Sequence, residues 1–171
     1  MKMLIVIDCQ NDFIDGVFGT KEAKEIIPNV KKKIEEYKVR DDKVIFTRDT
    51  HYGDYLETNE GKYLPIEHCI YRTDGWQISN QLDTTNCEII DKNTFGYLRW
   101  YVYAIGRDIE EIELCGLCTD ICVISNAMIL KATFPEANIK VDASCCAGVT
   151  PESHIRALEA MKMCQINVIG E

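Results

Sequence analysis

Long apolar runs are missing from this 171-residue chain. The opening stretch offers five apolar residues between Lys2 and Asp8, too few for a secretory signal and far short of the roughly 20 residues of a membrane span. A cytoplasmic protein with no membrane partner is expected. None of the ten glycines stands two residues from another, so the G-x-G of a dinucleotide fold is absent, as is the G-K-[ST] of a phosphate loop. Positive charge is scarce as well. Nineteen Lys plus Arg against 28 Asp plus Glu give a net charge of −9, which argues against nucleic acid as a partner.

What is present suits one globular domain over residues 1–171: 46% of residues are hydrophobic and 27% charged, an ordinary balance for that size. Such a chain buries roughly 70% of its unfolded surface, so it needs no disulfide or metal to fold, and any metal would be functional. Nine cysteines, an odd number scattered through apolar stretches, point to a reducing compartment and to buried thiols acting as small apolar residues.

Short runs rich in Val and Ile recur at residues 4–8, 43–49, 87–92, 112–117, 139–142 and 166–169, and they predict six buried, mostly parallel strands. Ile27, Val30 and Ile34 follow helical spacing, with Pro28 expected in the first turn of their helix. A buried helix is expected from Thr119 or Asp120, either of which can cap it, through VISNAMILKA. Thr150, Pro151 and Glu152 announce a last helix ending near Met163. Strands alternating with helices give a three-layer α/β/α fold of Rossmann-like kind. The segment between Thr50 and Gln77 reads as one long irregular loop, a length that is usually functional.

In an open α/β sheet the ligand site lies beyond the carboxyl ends of the strands. Asp8, Asp49, Lys92 and the segment Gly116–Cys122 all fall there. Taken singly, Asp8 can be a turn cap, Lys92 a snorkelling amine and Cys122 one more buried thiol. Together a thiol, a carboxylate and an ammonium, each at the end of a different strand, make a nucleophile, a proton acceptor and a thiolate-stabilising cation. The positive end of the following helix is expected to favour a Cys122 thiolate. Cys115, Cys118 and Cys122 do not read as an iron–sulfur set, because no fourth cysteine lies suitably near and Cys115 points the other way within its strand. Asp49 and His51, two apart at a strand end, can share a direction, with His68 across the loop. Two imidazoles and a carboxylate suit zinc, iron or manganese, although a turn-capping Asp beside a solvent-facing His has the same spacing. Glu60, or with less support Glu57, can add an oxygen ligand. His154 reads as a packing or surface residue.

The segments LIVIDCQNDF, FTRDTH, LPIEHC, IIDKNTF, CGLCTDICV and DASCCAGVTPESHIRAL, in this order, resemble the isochorismatase-like cysteine hydrolases and, within them, the nicotinamidase/pyrazinamidase branch. The resemblance implies a catalytic triad of Asp8, Lys92 and Cys122, and a divalent metal, zinc first, held by Asp49, His51 and His68. It also implies a cis peptide between Leu117 and Cys118, an oxyanion hole from the backbone N–H groups of Cys118 and Cys122, and pocket walls at Phe13 and Phe95, with Tyr97 and Trp100 nearby and suited to packing. The implied reaction is hydrolysis of a small carboxamide through a thioester, by a homo-oligomer. Another small amide, a ureido acid or isochorismate are the alternative substrates, and a non-catalytic ligand-binding α/β module is the alternative to an enzyme. Departures from the family pattern are Cys9 and Cys118 at usually smaller or apolar places, Tyr63-Leu64 where an aromatic wall is common, and one extra residue between Pro65 and His68.

Overall fold

The computed structural model describes residues 1–171. Strands β1 (Lys2–Ile7), β2 (Lys43–Asp49), β3 (Glu88–Lys92), β4 (Glu111–Leu117), β5 (Asn138–Ala147) and β6 (Asn167–Ile169) form one sheet in the order β3-β2-β1-β4-β5-β6. Every neighbouring pair is parallel. The helices are α1 (Asn11–Ile14), α2 (Lys21–Val39), α3 (Asn59–Tyr63), α4 (Ile124–Thr133) and α5 (Pro151–Met163). Met3 to Ile7 are all fully buried, as a central strand covered on both faces requires, which is why that run shows no polar alternation. Strand order reverses between β1 and β4. At that reversal the chains leaving the two strands diverge and open a crevice at their carboxyl ends.

Helix α2 begins earlier than its proline suggested. Thr20 caps it by accepting from the Ala23 N–H at 3.0 Å, and a buried stripe of Ala23, Ile26, Ile27, Val30, Ile34 and Tyr37 carries it to Val39. Pro28 therefore lies inside the helix rather than in its first turn. The bond it forfeits is to the carbonyl of Lys24, an exposed residue, and the apolar stripe outweighs that loss. The expected caps at Thr119 and Asp120 are also corrected. The chain turns after β4 through a π-helical turn, Thr119–Val123, whose N-cap is Cys118, and only then enters α4. Thr119 bonds His154 Nδ1 at 2.7 Å instead, and Asp120 accepts from the Val149 N–H, so both side chains join this turn to the α5 region. His154 thus packs rather than ligates. Helix α5 has the expected Thr150 cap and Pro151.

Strand β5 runs five residues past the expected end, through Ala147, because it bulges between Val141 and Cys146, opposite Leu114 and Gly116 of β4, and the pairing resumes beyond. Gly116 has φ +118°, and a Cβ there would lie 2.0 Å from the Ile7 carbonyl oxygen. Only glycine lets β4 approach β1 this closely beside the crevice. The segment after Thr50 is less irregular than expected, holding a 3-10 turn (Tyr55–Glu57) and α3, which Thr58 caps. No helix is long and apolar enough to cross a membrane.

Candidate active site

Strand β1 delivers Asp8, β3 delivers Lys92, and the turn after β4 delivers Cys122. The structure brings all three together. Lys92 Nζ lies 2.6 Å from Asp8 Oδ2 and 3.6 Å from Cys122 Sγ, and it also donates to the Thr94 carbonyl at 3.2 Å. Asp8 is fully buried and has φ +46°, a left-handed conformation that non-glycine residues seldom hold outside constrained sites. Thr47 on the adjacent β2 donates to Asp8 Oδ1 at 2.6 Å and accepts from the Asp8 N–H. Asp8 Oδ2, the oxygen not taken by Thr47, faces the Lys92 ammonium and has a second lone pair for a further proton.

Burial pushes the Asp8 carboxyl above its usual range; Lys92 opposes this and Asp49 adds to it. Burial opposes charge on Lys92 too, but Asp8, Cys122 and Asp49 outweigh it, and the amine stays protonated well above the ordinary lysine value. Burial pushes Cys122 well above its ordinary value, Lys92 pulls it down, and Asp8 and Asp49 push it back up. Burial and the two carboxylates thus oppose the thiolate that the helix end was expected to favour, while Lys92 supports it.

A second cluster adjoins the first. The ligating atoms of Asp49, His51, Glu60 and His68 all lie within 4.8 Å of one another. His51 Nε2 is 3.0 Å from Asp49 Oδ2 and 3.5 Å from Glu60 Oε1; His68 Nε2 is 3.6 Å and 3.9 Å from the same two oxygens. His68 donates from Nδ1 to the Ile66 carbonyl at 2.9 Å, which leaves its Nε2 lone pair facing the cluster, as in metal-binding imidazoles. Asp49 Oδ1 is buried without a hydrogen bond. Two buried carboxylates, Asp8 and Asp49, face one buried ammonium, so a cation at the cluster would redress the charge. These residues fit a divalent metal. Glu60 belongs to the group and Glu57 does not.

One cavity of about 1060 Å³ joins the two clusters, lined among others by Phe13, Phe18, Asp49, His51, His68, Phe95, Leu117, Cys118 and Cys122. Asp8 and Lys92 lie below its floor, 0% and 4% exposed. Phe13 and Phe95 line the cavity, whereas Trp100 is fully buried and packs against Tyr97. The Leu117–Cys118 peptide is cis.

Supporting residues escaped the sequence reading. Gln10 accepts from the Asp49 N–H at 2.7 Å and donates to the Asp49 carbonyl at 2.8 Å, holding the backbone of that ligand. Tyr55 packs against both imidazoles, with ring centroids 4.6 Å from His51 and 5.1 Å from His68. Phe18 packs edge-on to His68 at 4.8 Å. Gln10 lies within the IDCQNDF segment and so carried a signal; Tyr55 and Phe18 carried none.

A model of the isochorismatase domain matches residues 2–170, and the chain belongs to the isochorismatase family. Its relatives include the nicotinamidase/pyrazinamidase of Mycobacterium tuberculosis, 26% identical over 99% of this chain and 98% of the relative. Among solved structures, a nicotinamidase from Bacillus subtilis superposes with a TM-score of 0.85 at 26% identity, covering 98% of each chain. The pyrazinamidase of Pyrococcus horikoshii, solved in complex with zinc, shares the fold at a TM-score of 0.86, 24% identity and 99% coverage of each chain.

Proposed function

We propose that this chain is a cysteine amidohydrolase that converts nicotinamide to nicotinate and ammonia. The observation that carries the reading is the convergence of Asp8 and Lys92 on Cys122, which shares one cavity with the Asp49, His51, Glu60 and His68 cluster. The family membership and the nicotinamidase relatives support the same class.

Asp8 Oδ2 takes the Cys122 proton as the sulfur attacks the carboxamide carbon, so the pair changes form while its total charge stays constant. Lys92 stays protonated and holds the developing thiolate. The backbone N–H groups of Cys118 and Cys122 receive the carbonyl oxygen as it becomes an oxyanion. Collapse of that adduct breaks the C–N bond, with Asp8 returning its proton to the departing ammonia. Asp8 then removes a proton from water as that water attacks the thioester, and the acid leaves with Cys122 restored as a thiol. Phe13 and Phe95 would flank the ring. A divalent ion, zinc by preference, held by Asp49, His51, His68 and Glu60, would supply Lewis acidity and an open position for a ring nitrogen.

The whole chain, residues 1–171, would act as one hydrolase domain, in a route that salvages pyridine nucleotides. Nine unpaired cysteines support a cytoplasmic location. Exposed Leu98, Tyr101 and Ile105, on the segment packed beside α4, support a homo-oligomer. The test is ammonia release from nicotinamide, pyrazinamide and aliphatic amides by metal-analysed protein. Nicotinamide turnover that is lost in Cys122→Ala is expected; metal-loaded protein that ignores nicotinamide and cleaves another amide overturns the substrate.

A further inference from the structure

Four hydrogen bonds converge on one buried side chain outside the two clusters. Asn126, fully buried in α4 one turn beyond Cys122, accepts at Oδ1 from the Tyr97 N–H and from Trp100 Nε1, both at 2.9 Å. Its Nδ2 donates to the Phe95 carbonyl at 3.1 Å and to the Cys122 carbonyl at 2.8 Å. An amide has two acceptor sites and two donor hydrogens, and here all four are engaged. Every partner except Cys122 belongs to the segment that follows β3.

That segment bears on the site twice. Phe95 lines the cavity, and the Thr94 carbonyl accepts from Lys92 Nζ. Thr94 Oγ1 also donates to the Gly96 carbonyl at 2.8 Å, tying the lysine's acceptor to the stretch that Asn126 holds. Gly96 fits closely against the same helix, since a Cβ there would lie 2.5 Å from Ile129 Cδ1. An apolar helix face would leave Phe95 C=O and Tyr97 N–H without these partners. A neutral amide satisfies them without adding charge beside Lys92.

We infer that Asn126 is a positioning residue: it locks the Thr94–Tyr97 segment to the turn carrying Cys122, and so sets both the Phe95 wall and the Lys92–Cys122 separation. In its catalytic part this rests on the function proposed above. It assigns to one amide the alignment of two groups that arrive from different strands.

The test compares Asn126→Ala with Leu130→Ala, which removes a fully buried side chain from the same helix and none of the four hydrogen bonds. Two readouts are taken on each. In Asn126→Ala, KM for nicotinamide should rise about fivefold and kcat fall about tenfold, and amide hydrogen exchange across residues 93–97 should quicken about tenfold while β1 and β4 keep their protection. Leu130→Ala should lower the melting temperature and leave both kinetic constants and the exchange of 93–97 unchanged. If Asn126→Ala does not fold, Trp100→Phe replaces it; removing one donor from Oδ1 should raise KM and the exchange of 93–97 about twofold to threefold. Unchanged kinetic constants and exchange in whichever of these variants folds, or equal effects in Leu130→Ala, overturn the inference. Exchange needs no substrate, so wild-type protein inactive on nicotinamide would overturn the proposed reaction while exchange alone still judges the role of Asn126.

Discussion

Lys92 Nζ stands 3.6 Å from the sulfur of Cys122 and only 2.6 Å from Asp8 Oδ2, so the buried ammonium serves the carboxylate first and the thiol second. This ordering gives the sulfur the weaker share of the cation. In the proposed reaction the carboxylate would hold the cation's charge until the thiol proton crosses to Asp8, and Lys92 would then compensate the thiolate.

The first prediction separates chemistry from stability at this triad. Cys122→Ala and Asp8→Asn should each lower kcat by roughly 10³-fold or more, with a double variant no worse than either, because nucleophile and base act as a unit. Only Asp8→Asn should also melt earlier. It leaves Lys92 buried without its nearest counter-charge, a loss of roughly 3 kcal/mol, whereas Cys122→Ala strands no charge. Steady-state rates and calorimetry on the three variants check both halves.

Thiol labelling tests the protonation state. Burial raises the Cys122 thiol, and the Asp8 and Asp49 carboxylates add to that, so its alkylation by iodoacetamide should keep climbing beyond pH 9 instead of levelling near neutrality. Exposed Cys164 should be modified before it at pH 7. Mass spectrometry of briefly treated protein reads the order; early labelling of Cys122 with a plateau near pH 7 would mean a resting thiolate.

For the metal, one divalent ion per chain is expected by elemental analysis. Adding zinc to chelated protein should raise the melting temperature, because an ion that binds only the folded state stabilises it by mass action. His51→Ala, His68→Ala and Asp49→Ala should abolish that rise. Glu60→Gln should reduce it, since Glu60 stands at the more exposed edge of the cluster. A chelated protein that hydrolyses nicotinamide at full rate would refute the metal's part in the reaction.

Away from the site, Lys33 on α2 pairs with Glu113 on β4 at 2.5 Å and with Asp142 on β5 at 2.6 Å, and Tyr37 also donates to Glu113. Burial disfavours the charged Asp142, but Lys33 and Ser144 outweigh it and hold its carboxyl below the ordinary value. A depressed carboxyl contributes stability above its unfolded pKa of roughly 3.9, and that contribution is lost as pH falls through the folded value. Lys33→Met should therefore cost roughly 3 kcal/mol at pH 7 by stranding two buried carboxylates, and the gap from wild type should narrow below pH 4 as Asp142 protonates. Denaturant melts at the two pH values measure it. A gap that stays constant would show that packing, not charge, sets the loss.

Much of the fold was legible because a buried parallel sheet writes itself as short Val- and Ile-rich runs, and each of the six runs became a strand. Errors fell at boundaries. Pro28 marked a helix start that Thr20 and the apolar stripe moved seven residues earlier, and the end of β5 was hidden because Ser144, Cys145 and Cys146 carry little strand signal on their own. The Tyr55 turn and α3 were missed inside a stretch dominated by glycine and polar residues.

Asp8, Asp49, His51, Lys92 and Cys122 could be picked out from the chain alone, because strand-end position and chemical type are both local properties, and His68 stood out by chemical type in the loop that follows. Their distances could not. That Lys92 favours Asp8 over Cys122, that Glu60 rather than Glu57 joins the imidazoles, and that Asn126 bridges α4 to the segment after β3 all depend on the register of strands far apart in the chain and on how the connecting turns fold back. The electrostatics of Cys122 are the clearest case: helix position favours a thiolate, burial and two carboxylates oppose one, Lys92 supports it, and none of these surroundings exists until the sheet has closed over the site.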